Sequence, residues 1–256
     1  MNHAEIIKKI IQKKEFSQLP GKDIEMAFSH FEKRQTSDEE KVRLTRELLH
    51  KVFGAFGSGK LLIPKKRAEE WTLRKHLSTR ERLPYYREIY RRVLKGFGRK
   101  ISILDFGAGV NGLSYKYFKE VGFNVDYTAA EAVGQLSELV NVYFKGEGIK
   151  GKALHLSLFE LERLKKIINE TERPRVIFLF KALDSLEMLK RDYSKELLSA
   201  ISPLADRIIV SFATESMIKR KKFYANRKWL IDFLSENFNV IDDFILGGER
   251  YIILER

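Results

Sequence analysis

The chain has 256 residues, of which 44% are apolar and 12% aromatic, and its formal net charge is +13. This length and composition allow one large α/β domain with a smaller appendage, and they exclude a disulfide-held peptide scaffold. Because cysteine is absent, disulfides, thiolate metal sites and cysteine nucleophiles are excluded as well.

The sequence contains no apolar segment that suggests a membrane protein. The sequence has no run of about 18 apolar residues that would cross a bilayer, and its first residues lack the basic and apolar regions of a signal peptide. We therefore expect a soluble, cytoplasmic protein with no membrane partner.

The positive charge is concentrated in the first part of the chain. Residues 1–100 hold 25 Lys and Arg against 13 Asp and Glu, whereas residues 101–256 hold 23 against 22. This asymmetry predicts a basic N-terminal module that meets a polyanion and a nearly neutral C-terminal module. A lysine-rich solvated surface of the kind that thermophile proteins carry is an alternative, and the two interpretations are compatible.

Apolar residues at helical spacing predict three helices near the start of the chain. The first covers residues 6–11, and the second covers residues 24–31, after a Leu-Pro-Gly break. Ser37 and Glu40 form a capping box that opens the third helix. A glycine-rich stretch then ends this helical run.

Two more helices are predicted before residue 100. A short helix reaches His76, and Ser78 with Glu81 forms a second capping box for a helix that runs to about Lys95. Lysine and arginine side chains lie between the apolar stripes and form a surface that can contact several phosphates. The phosphate-binding candidates in this region are Lys8, Lys9, Lys65, Lys66 and Arg67.

From residue 101 onward, strands and helices alternate. This rhythm predicts a parallel sheet covered on both faces, with ligands at the carboxyl ends of the strands. The last two strands are separated only by Gly247, Gly248 and Glu249, so they must form an antiparallel hairpin. The predicted strands cover residues 101–105, 123–129, 152–156, 175–181, 207–212, 240–246 and 250–254, and the predicted helices cover 111–120, 133–144, 158–168 and 224–236.

A glycine-rich loop follows the first strand. Gly107, Gly109 and Gly112 match G-x-G-x-x-G, and Glu131 ends the second strand, where it would accept hydrogen bonds from ribose hydroxyls. The motif alone fits a dinucleotide, S-adenosylmethionine or a loop needed only for packing. Asp105 just before the loop, the terminal hairpin and the lack of a second catalytic domain favour S-adenosylmethionine.

Four blocks of sequence, one of which contains the glycine-rich loop, match the motifs of a known protein family. Residues 76–83 match H-x-S-[ST]-R-E-R-L, 104–113 resemble L-D-x-x-C-G-x-N-P-L, 178–187 resemble x-x-F-K-x-x-x-x-L-E, and 211–216 with Arg220 and Lys222 resemble S-F-P-T-[RK]-S followed by Arg and Lys. In order and spacing, these blocks resemble the aminoglycoside-resistance 16S ribosomal RNA methyltransferases of the Arm and Rmt type. The resemblance covers roughly residues 76–254.

The resemblance implies both an architecture and a substrate. It implies a class I S-adenosylmethionine methyltransferase fold, which is a Rossmann-like α/β fold with a seven-stranded sheet and a C-terminal antiparallel hairpin, preceded by an all-helical domain. We assign residues 1–77 to a helical, basic RNA-binding domain and residues 78–256 to the methyltransferase domain. The implied partner is 16S ribosomal RNA, naked or in the assembled small subunit, and we expect a monomer without a metal ion.

Several residues depart from the family pattern near the cofactor and the RNA. The change at residue 215 removes a basic residue beside the RNA-facing loop and indicates a divergent housekeeping relative. The departures are Ala108 for Cys, Gly112 and Ala213 for Pro, Glu215 for a basic residue, and Val133 and Leu156 for Asp.

The expected cofactor site extends along the strand ends. The glycine loop passes the methionine end, Glu131 holds the ribose, and His155 with Leu156 borders the adenine. By resemblance, Arg80 binds the carboxylate of S-adenosylmethionine, with Arg82 as the second candidate. The expected cofactor-binding residues are Arg80, Arg82, Asp105, Gly107, Ala108, Gly109, Glu131, His155, Leu156 and Phe180.

Lys181 and Asp184, at the end of the fourth strand, are the expected catalytic residues. Methyl transfer is an in-line displacement that needs mainly proximity and orientation. Guanine N7, which the family implies, has a free lone pair and needs no base, whereas cytosine N4 would need a proton acceptor such as Asp184; both targets remain open. Phe180, Phe212 and Tyr224 are candidates for stacking on an extruded base.

A basic run after the fifth strand completes the expected RNA surface. Two other functions remain possible at this point: a small-molecule or protein methyltransferase with a helical lid, and an RNA-binding protein with a vestigial cofactor fold. The run consists of Lys219, Arg220, Lys221 and Lys222.

Overall fold

The computed structural model describes residues 2–54, 59–63, 68–214 and 227–255. Within these residues, seven strands form one sheet in the order β3-β2-β1-β4-β5-β7-β6. The strands are β1 (Lys100–Phe106), β2 (Asn124–Glu131), β3 (Gly151–His155), β4 (Arg175–Phe180), β5 (Arg207–Ala213), β6 (Asn239–Leu246) and β7 (Glu249–Glu255).

The sheet confirms the predicted class I methyltransferase architecture. Strands β1 to β5 are parallel to one another, and β7 runs antiparallel to both β5 and β6. Strands β1 and β4 are buried over nearly their whole length, as expected for continuous apolar runs with helices on both faces of the sheet. The carboxyl ends of β1, β2 and β4 therefore meet at one edge.

The described residues also contain twelve α-helices, five of which precede residue 85. Asn2 and Ser37 cap the first and third helices through their side chains. The helices are α1 (His3–Ile11), α2 (Gly21–Glu32), α3 (Asp38–Leu49), α4 (Glu69–Lys75), α5 (Leu77–Arg82), α6 (Tyr86–Val93), α7 (Tyr115–Glu120), α8 (Gly134–Gly146), α9 (Leu161–Glu170), α10 (Leu183–Leu189), α11 (Tyr193–Ile201) and α12 (Lys228–Asn237).

The predicted capping box at Ser78 is wrong. Ser78 lies inside α5, which begins at Leu77, and its hydroxyl accepts a hydrogen bond from Arg82 instead of capping the helix. The predicted continuous helix to Lys95 is also interrupted, because Pro84 has no N–H to donate and forms part of a 3₁₀ turn before α6.

The N-terminal helices pack directly against the sheet region. The Lys22 ammonium donates a hydrogen bond to the Phe159 carbonyl at 2.7 Å, and the Gln135 amide donates to the Lys14 carbonyl at 3.0 Å. Buried apolar residues from both regions belong to one hydrophobic core. The predicted division at residue 77 thus separates two stretches of sequence whose buried side chains pack together.

No helix in the part of the chain that the structure describes is long and apolar enough to span a membrane. The same residues contain no group of three or more His, Asp and Glu side chains arranged to hold a metal ion.

Candidate functional site

A cavity lies at the carboxyl ends of the parallel strands. About 90 Å³ of the cavity admits a water-sized sphere, within about 770 Å³ of empty space that includes open solvent. Most of its wall comes from the sheet region, but Asp23 of α2 and the adjacent Val52 and Phe53 also line it. The N-terminal helices therefore contribute one side of the cavity.

The glycine loop forms the floor of this cavity with a backbone that side chains would obstruct. Gly107 and Gly109 have φ angles of +72° and +55°, a conformation that favours glycine. A Cβ atom on Gly109 would lie 2.7 Å from Nε2 of His76. Gly112 serves packing instead, because a Cβ there would lie 2.8 Å from a methyl group of Val140.

Glu131 ends β2 and is fixed by backbone N–H groups. One carboxylate oxygen accepts from Gly109 at 2.7 Å and the other from Val133 at 2.8 Å. Burial raises the pKa of this carboxyl group, although the backbone hydrogen bonds oppose the shift. Each carboxylate oxygen can accept a second hydrogen bond, so Glu131 can bind ligand hydroxyls while remaining fixed.

Asp105 at the end of β1 carries an unsatisfied acceptor. Its Oδ2 accepts from the Asn111 amide at 2.7 Å and from the Tyr127 hydroxyl, whereas its Oδ1 has no hydrogen-bond partner in the described part of the chain. The residue is 1% exposed and lines the cavity, and burial raises the pKa of its carboxyl group. Such an atom is suited to a donor on a bound ligand.

Arg82 is the cation at the centre of a buried network. Its guanidinium donates to Glu249 at 3.2 Å, to Asn111 at 2.8 Å and to Ser78, and it lies 4.9 Å from the centre of the Phe180 ring. Burial alone would lower the pKa of Arg82, but Glu249, together with Tyr86, Tyr251 and Asp105, raises the pKa above its usual value.

Lys181 belongs to the same network. It adopts a left-handed backbone with φ of 56°, an uncommon conformation for a residue with a side chain, and its N–H donates to Ser211. The buried ammonium lies 2.5 Å from Glu81 and 3.2 Å from Glu249. Although burial favours a neutral Glu249, Arg82 and Lys181 lower the pKa of its carboxyl group.

His76 lines the cavity as a neutral imidazole. Burial, followed by repulsion from Arg82 and Lys181, lowers the pKa of His76 to about 3. The ring therefore carries no charge at neutral pH, and its contact with the glycine loop shapes the cavity wall.

The structure brings most of the predicted site residues together. Eight predicted residues line the cavity: Arg82, Asp105, Gly107, Ala108, Gly109, Glu131, Phe180 and Lys181.

Three of the expected cofactor-binding residues lie outside the cavity wall. Arg80 is exposed and absent from the cavity wall, because two residues along an α-helix correspond to about half a turn, which directs Arg80 away from Arg82. His155 is exposed in a groove beside α8, because β3 is the edge strand, and Leu156 is buried in the core.

Asp184 also lies outside the cavity wall. Arg227 binds both of its carboxylate oxygens, at 2.6 and 2.9 Å, so this carboxylate is poorly placed to accept a proton from a substrate. Phe212 is 2% exposed and packs in the core, which leaves it unavailable for stacking on a base.

The predicted RNA surface is described only in part. Lys8 is exposed on α1, and the ammonium of Lys9 lies 3.3 Å from Glu39. The other predicted positions lie outside the described residues: Lys65, Lys66, Arg67, Glu215, Lys219, Arg220, Lys221, Lys222 and Tyr224.

Sequence reasoning gave no role to four residues of the site. His76 stands in a block that resembles the family, Glu249 in the turn of the predicted terminal hairpin, and Asn111 inside the glycine loop motif, so each had a signal in the sequence. Asp23 had none, because one acidic residue on an amphipathic helix resembles any solvated side chain.

The residues present fit S-adenosylmethionine. The glycine loop leaves backbone open to the cavity, Asp105 offers an unsatisfied acceptor to the cofactor's ammonium group, and Glu131 offers acceptors to ribose hydroxyls. Apolar side chains of Phe53, Leu136 and Leu158 line the same cavity and suit an aromatic base.

The sequence of this protein is similar to those of known 16S ribosomal RNA methyltransferases. The protein is 26% identical over 203 residues to the 16S rRNA (guanine(1405)-N(7))-methyltransferase of Micromonospora rosea, covering 71% of this chain and 69% of that protein. It is 28% identical over 159 residues to the enzyme of that name from Frankia casuarinae, covering 59% of this chain and 50% of that protein.

Solved structures share the fold over the whole chain. The crystal structure of the 16S rRNA methyltransferase RmtF in complex with S-adenosyl-L-homocysteine superposes with a TM-score of 0.78 at 22% identity, covering 100% of this chain and 99% of that chain. The 16S rRNA methylase RmtB superposes with a TM-score of 0.76 at 18% identity, with the same coverage. The profile of the family described as Ribosomal RNA methyltransferase (FmrO) matches residues 46–230. The chain belongs to this FmrO family of ribosomal RNA methyltransferases.

Proposed function

We propose that the protein transfers the methyl group of S-adenosylmethionine to N7 of a guanine in 16S ribosomal RNA, at the position corresponding to guanine 1405. The observation that carries this proposal is the cavity, in which the glycine loop, Asp105 and Glu131 form a cofactor site in a chain of the FmrO family. The names of the relatives from Micromonospora rosea and Frankia casuarinae support the nucleotide and the atom.

The state of Asp184 favours guanine N7 over cytosine N4. Attack by a conjugated amine needs a proton acceptor, and the candidate carboxylate is bound by Arg227 on both oxygens. The lone pair of guanine N7 lies in the ring plane and needs no base. Because Arg227 holds the carboxylate expected to accept that proton, the arrangement suits N7.

The side chains of the site bind and orient rather than exchange protons. When bound, S-adenosylmethionine supplies a methyl group on a positively charged sulfur that is already a good leaving group. Asp105 and Glu131 hold the cofactor's polar groups, and the buried walls exclude water. Holding two reactants in line accounts for much of the acceleration that such a displacement requires.

Lys181 is the residue that we assign to positioning the target base. An ammonium group has three donors, and two of them face the carboxylates of Glu81 and Glu249. The third can donate to the carbonyl oxygen of a guanine. Because these carboxylates compensate its charge, Lys181 can do so without strongly opposing the positive charge that develops on the methylated ring.

The RNA partner is recognised by the basic N-terminal region in this proposal. Lys8 and Lys9 on α1, and the basic residues outside the described part of the chain, would contact phosphates and set the affinity. We propose a monomer that acts on the assembled small subunit, where neighbouring phosphates offer a fixed surface.

The test is transfer of labelled methyl groups to unmodified small subunits, naked 16S RNA, large-subunit RNA and transfer RNA, followed by nuclease digestion and mass spectrometry. We expect 7-methylguanosine from one position of the small-subunit RNA. The Lys181→Met variant should lose most of the transfer, whereas Lys100→Met, which changes a lysine side chain that is 75% exposed, should not. Label in cytidine would overturn the choice of atom, and no label in any RNA would overturn the RNA substrate.

A further inference from the structure

The order of the strands fixes which part of the cavity faces which part of a ligand. Lys181 and Arg82 lie at the β1–β4 end, beside the glycine loop, and Glu131 lies at the end of β2. The remaining end, beside the segment that follows β3, is lined by Leu158 and by Asp23 of α2. A ligand whose ribose lies at Glu131 must place its base at this end.

Asp23 is held at this end by contacts on both sides. It is the third residue of α2, and the preceding Lys22 bonds to the Phe159 carbonyl at 2.7 Å. Ser157, two residues after β3, interacts with the Asp23 carboxylate and lowers the pKa of that carboxyl group. These contacts direct an N-terminal side chain into the cofactor cavity.

The burial of the Asp23 carboxylate is not fully offset by hydrogen bonds or ion pairs with the described residues. The residue is 1% exposed, and its Oδ2 has no hydrogen-bond partner among the residues that the structure describes. Burial, with smaller contributions from Glu131 and Glu160, raises the pKa of Asp23 to about 6. Among the ion pairs of residues 2–54, 59–63, 68–214 and 227–255, none includes Asp23.

An acidic residue in the first turn of a helix has an ordinary structural role, because it interacts favourably with the helix dipole. That role requires no burial and leaves no oxygen unsatisfied. A buried acceptor without a donor costs free energy, and Asp23 faces a cavity suited to a ligand. The structural role therefore does not account for its position.

We infer that Asp23 accepts a hydrogen bond from the 6-amino group of the adenine of S-adenosylmethionine. The inference rests on the proposed function in so far as that function names the cofactor. The sequence led us to expect the adenine beside His155 and Leu156, but neither lines the cavity. The acceptor for the adenine amine instead comes from the N-terminal region, which is otherwise assigned to RNA.

The test compares two ligands by calorimetry: S-adenosylhomocysteine and its analogue in which hydrogen replaces the 6-amino group. A hydrogen bond to a carboxylate corresponds to about 10- to 100-fold in affinity, so the natural protein should bind the analogue that much more weakly. Asp23→Leu should lose this preference by binding S-adenosylhomocysteine more weakly while binding the analogue unchanged. Asp23→Asn, whose amide oxygen still accepts, should keep a preference of about 2- to 10-fold.

Glu25→Gln, an exposed change on the same helix, should keep the full preference. Loss of folded protein would weaken both ligands equally and leave their ratio unchanged, so the ratio reports recognition of the amine. An unchanged ratio in Asp23→Leu, or no preference in the natural protein, would overturn the inference while S-adenosylhomocysteine still binds. Failure of the natural protein to bind S-adenosylhomocysteine at all would instead overturn the proposed function.

Discussion

The two ends of the cofactor cavity differ in how buried charge is compensated. At the β1–β4 end, Arg82 and Lys181 both form ion pairs with Glu249. At the β2–β3 end, Asp23 and Glu131 are buried carboxyl groups whose pKa values are raised by burial. The two buried cations of the first end are paired without a ligand, whereas Asp23 at the second end has an oxygen without a donor among the described residues.

The largest effect that tests this difference should come from Glu249→Gln. It leaves two buried cations without their shared carboxylate, and breaking a buried ion pair of this kind costs about 3–5 kcal/mol in the free energy of unfolding. Urea unfolding measures this loss. The matched change Glu172→Gln, in a surface pair with Lys100 whose side chains are 72% and 75% exposed, should cost at most about 1 kcal/mol. Equal losses in the free energy of unfolding for the two variants would contradict the prediction that Glu249 stabilises both buried cations.

The opposite effect is expected at the other end from Asp23→Asn. The pKa of Asp23 in the folded protein, about 6, lies above its ordinary value of 3.8, so folding favours the protonated form. The stability that this preference provides is complete below pH about 4 and is lost as the pH rises to about 6, an upper limit of about 3 kcal/mol.

Without ligand, the Asp23→Asn variant should therefore gain stability relative to the natural protein between pH about 4 and 6, with a constant difference above that range. Urea unfolding across this pH range measures the gain. A difference that does not change with pH would contradict the prediction.

A smaller effect should come from Gly109→Ala in the loop between the two ends. The left-handed backbone costs a residue with a side chain about 1–2 kcal/mol, and the new methyl group would meet His76. We expect about tenfold weaker binding of S-adenosylhomocysteine. Gly122→Ala is the control, because that residue also has a positive φ but its Cβ would meet no atom within 4 Å. The Gly122→Ala variant should be less stable but should bind S-adenosylhomocysteine with unchanged affinity. Weaker binding by Gly122→Ala would show that the effect of Gly109→Ala does not arise in the glycine loop.

The smallest effect concerns the outer surface, where charges are solvated rather than compensated. Lys8→Gln on α1 should weaken binding to the small subunit a few-fold and reduce the slope of log affinity against log salt by about 1. Lys166→Gln, which changes a side chain 75% exposed on α9, should leave the slope unchanged. Filter binding at several salt concentrations measures both.

The sequence predicted the sheet well, because its central strands β1, β4 and β5 are mostly apolar runs. It also predicted the glycine loop with Asp105 and Glu131, whose roles depend on the local order of strand and turn. Two features were harder to predict: the direction in which a helical side chain points, and the distant residues that it contacts in the fold. Arg80 and Arg82 look alike in sequence, and their half-turn separation decides which one reaches the cavity.

Asp23 illustrates the part that the sequence did not reveal. More than 100 residues separate it from Glu131 and Ser157, and no local pattern marks an acid that will face a distant strand end. The structure adds the neighbours that turn such a residue into a candidate for cofactor recognition.

The packing of α2 and the segment around Phe53 against the cavity limits how this protein can be recombined. Exchanging its first 77 residues with those of a relative, to alter the choice of RNA, would also replace the side chains at positions 23, 52 and 53 on the cavity wall. A chimera made for a new target would thus inherit a different adenine pocket. Grafts that keep α2 and the segment through Phe53 and exchange only α1 would separate the two properties.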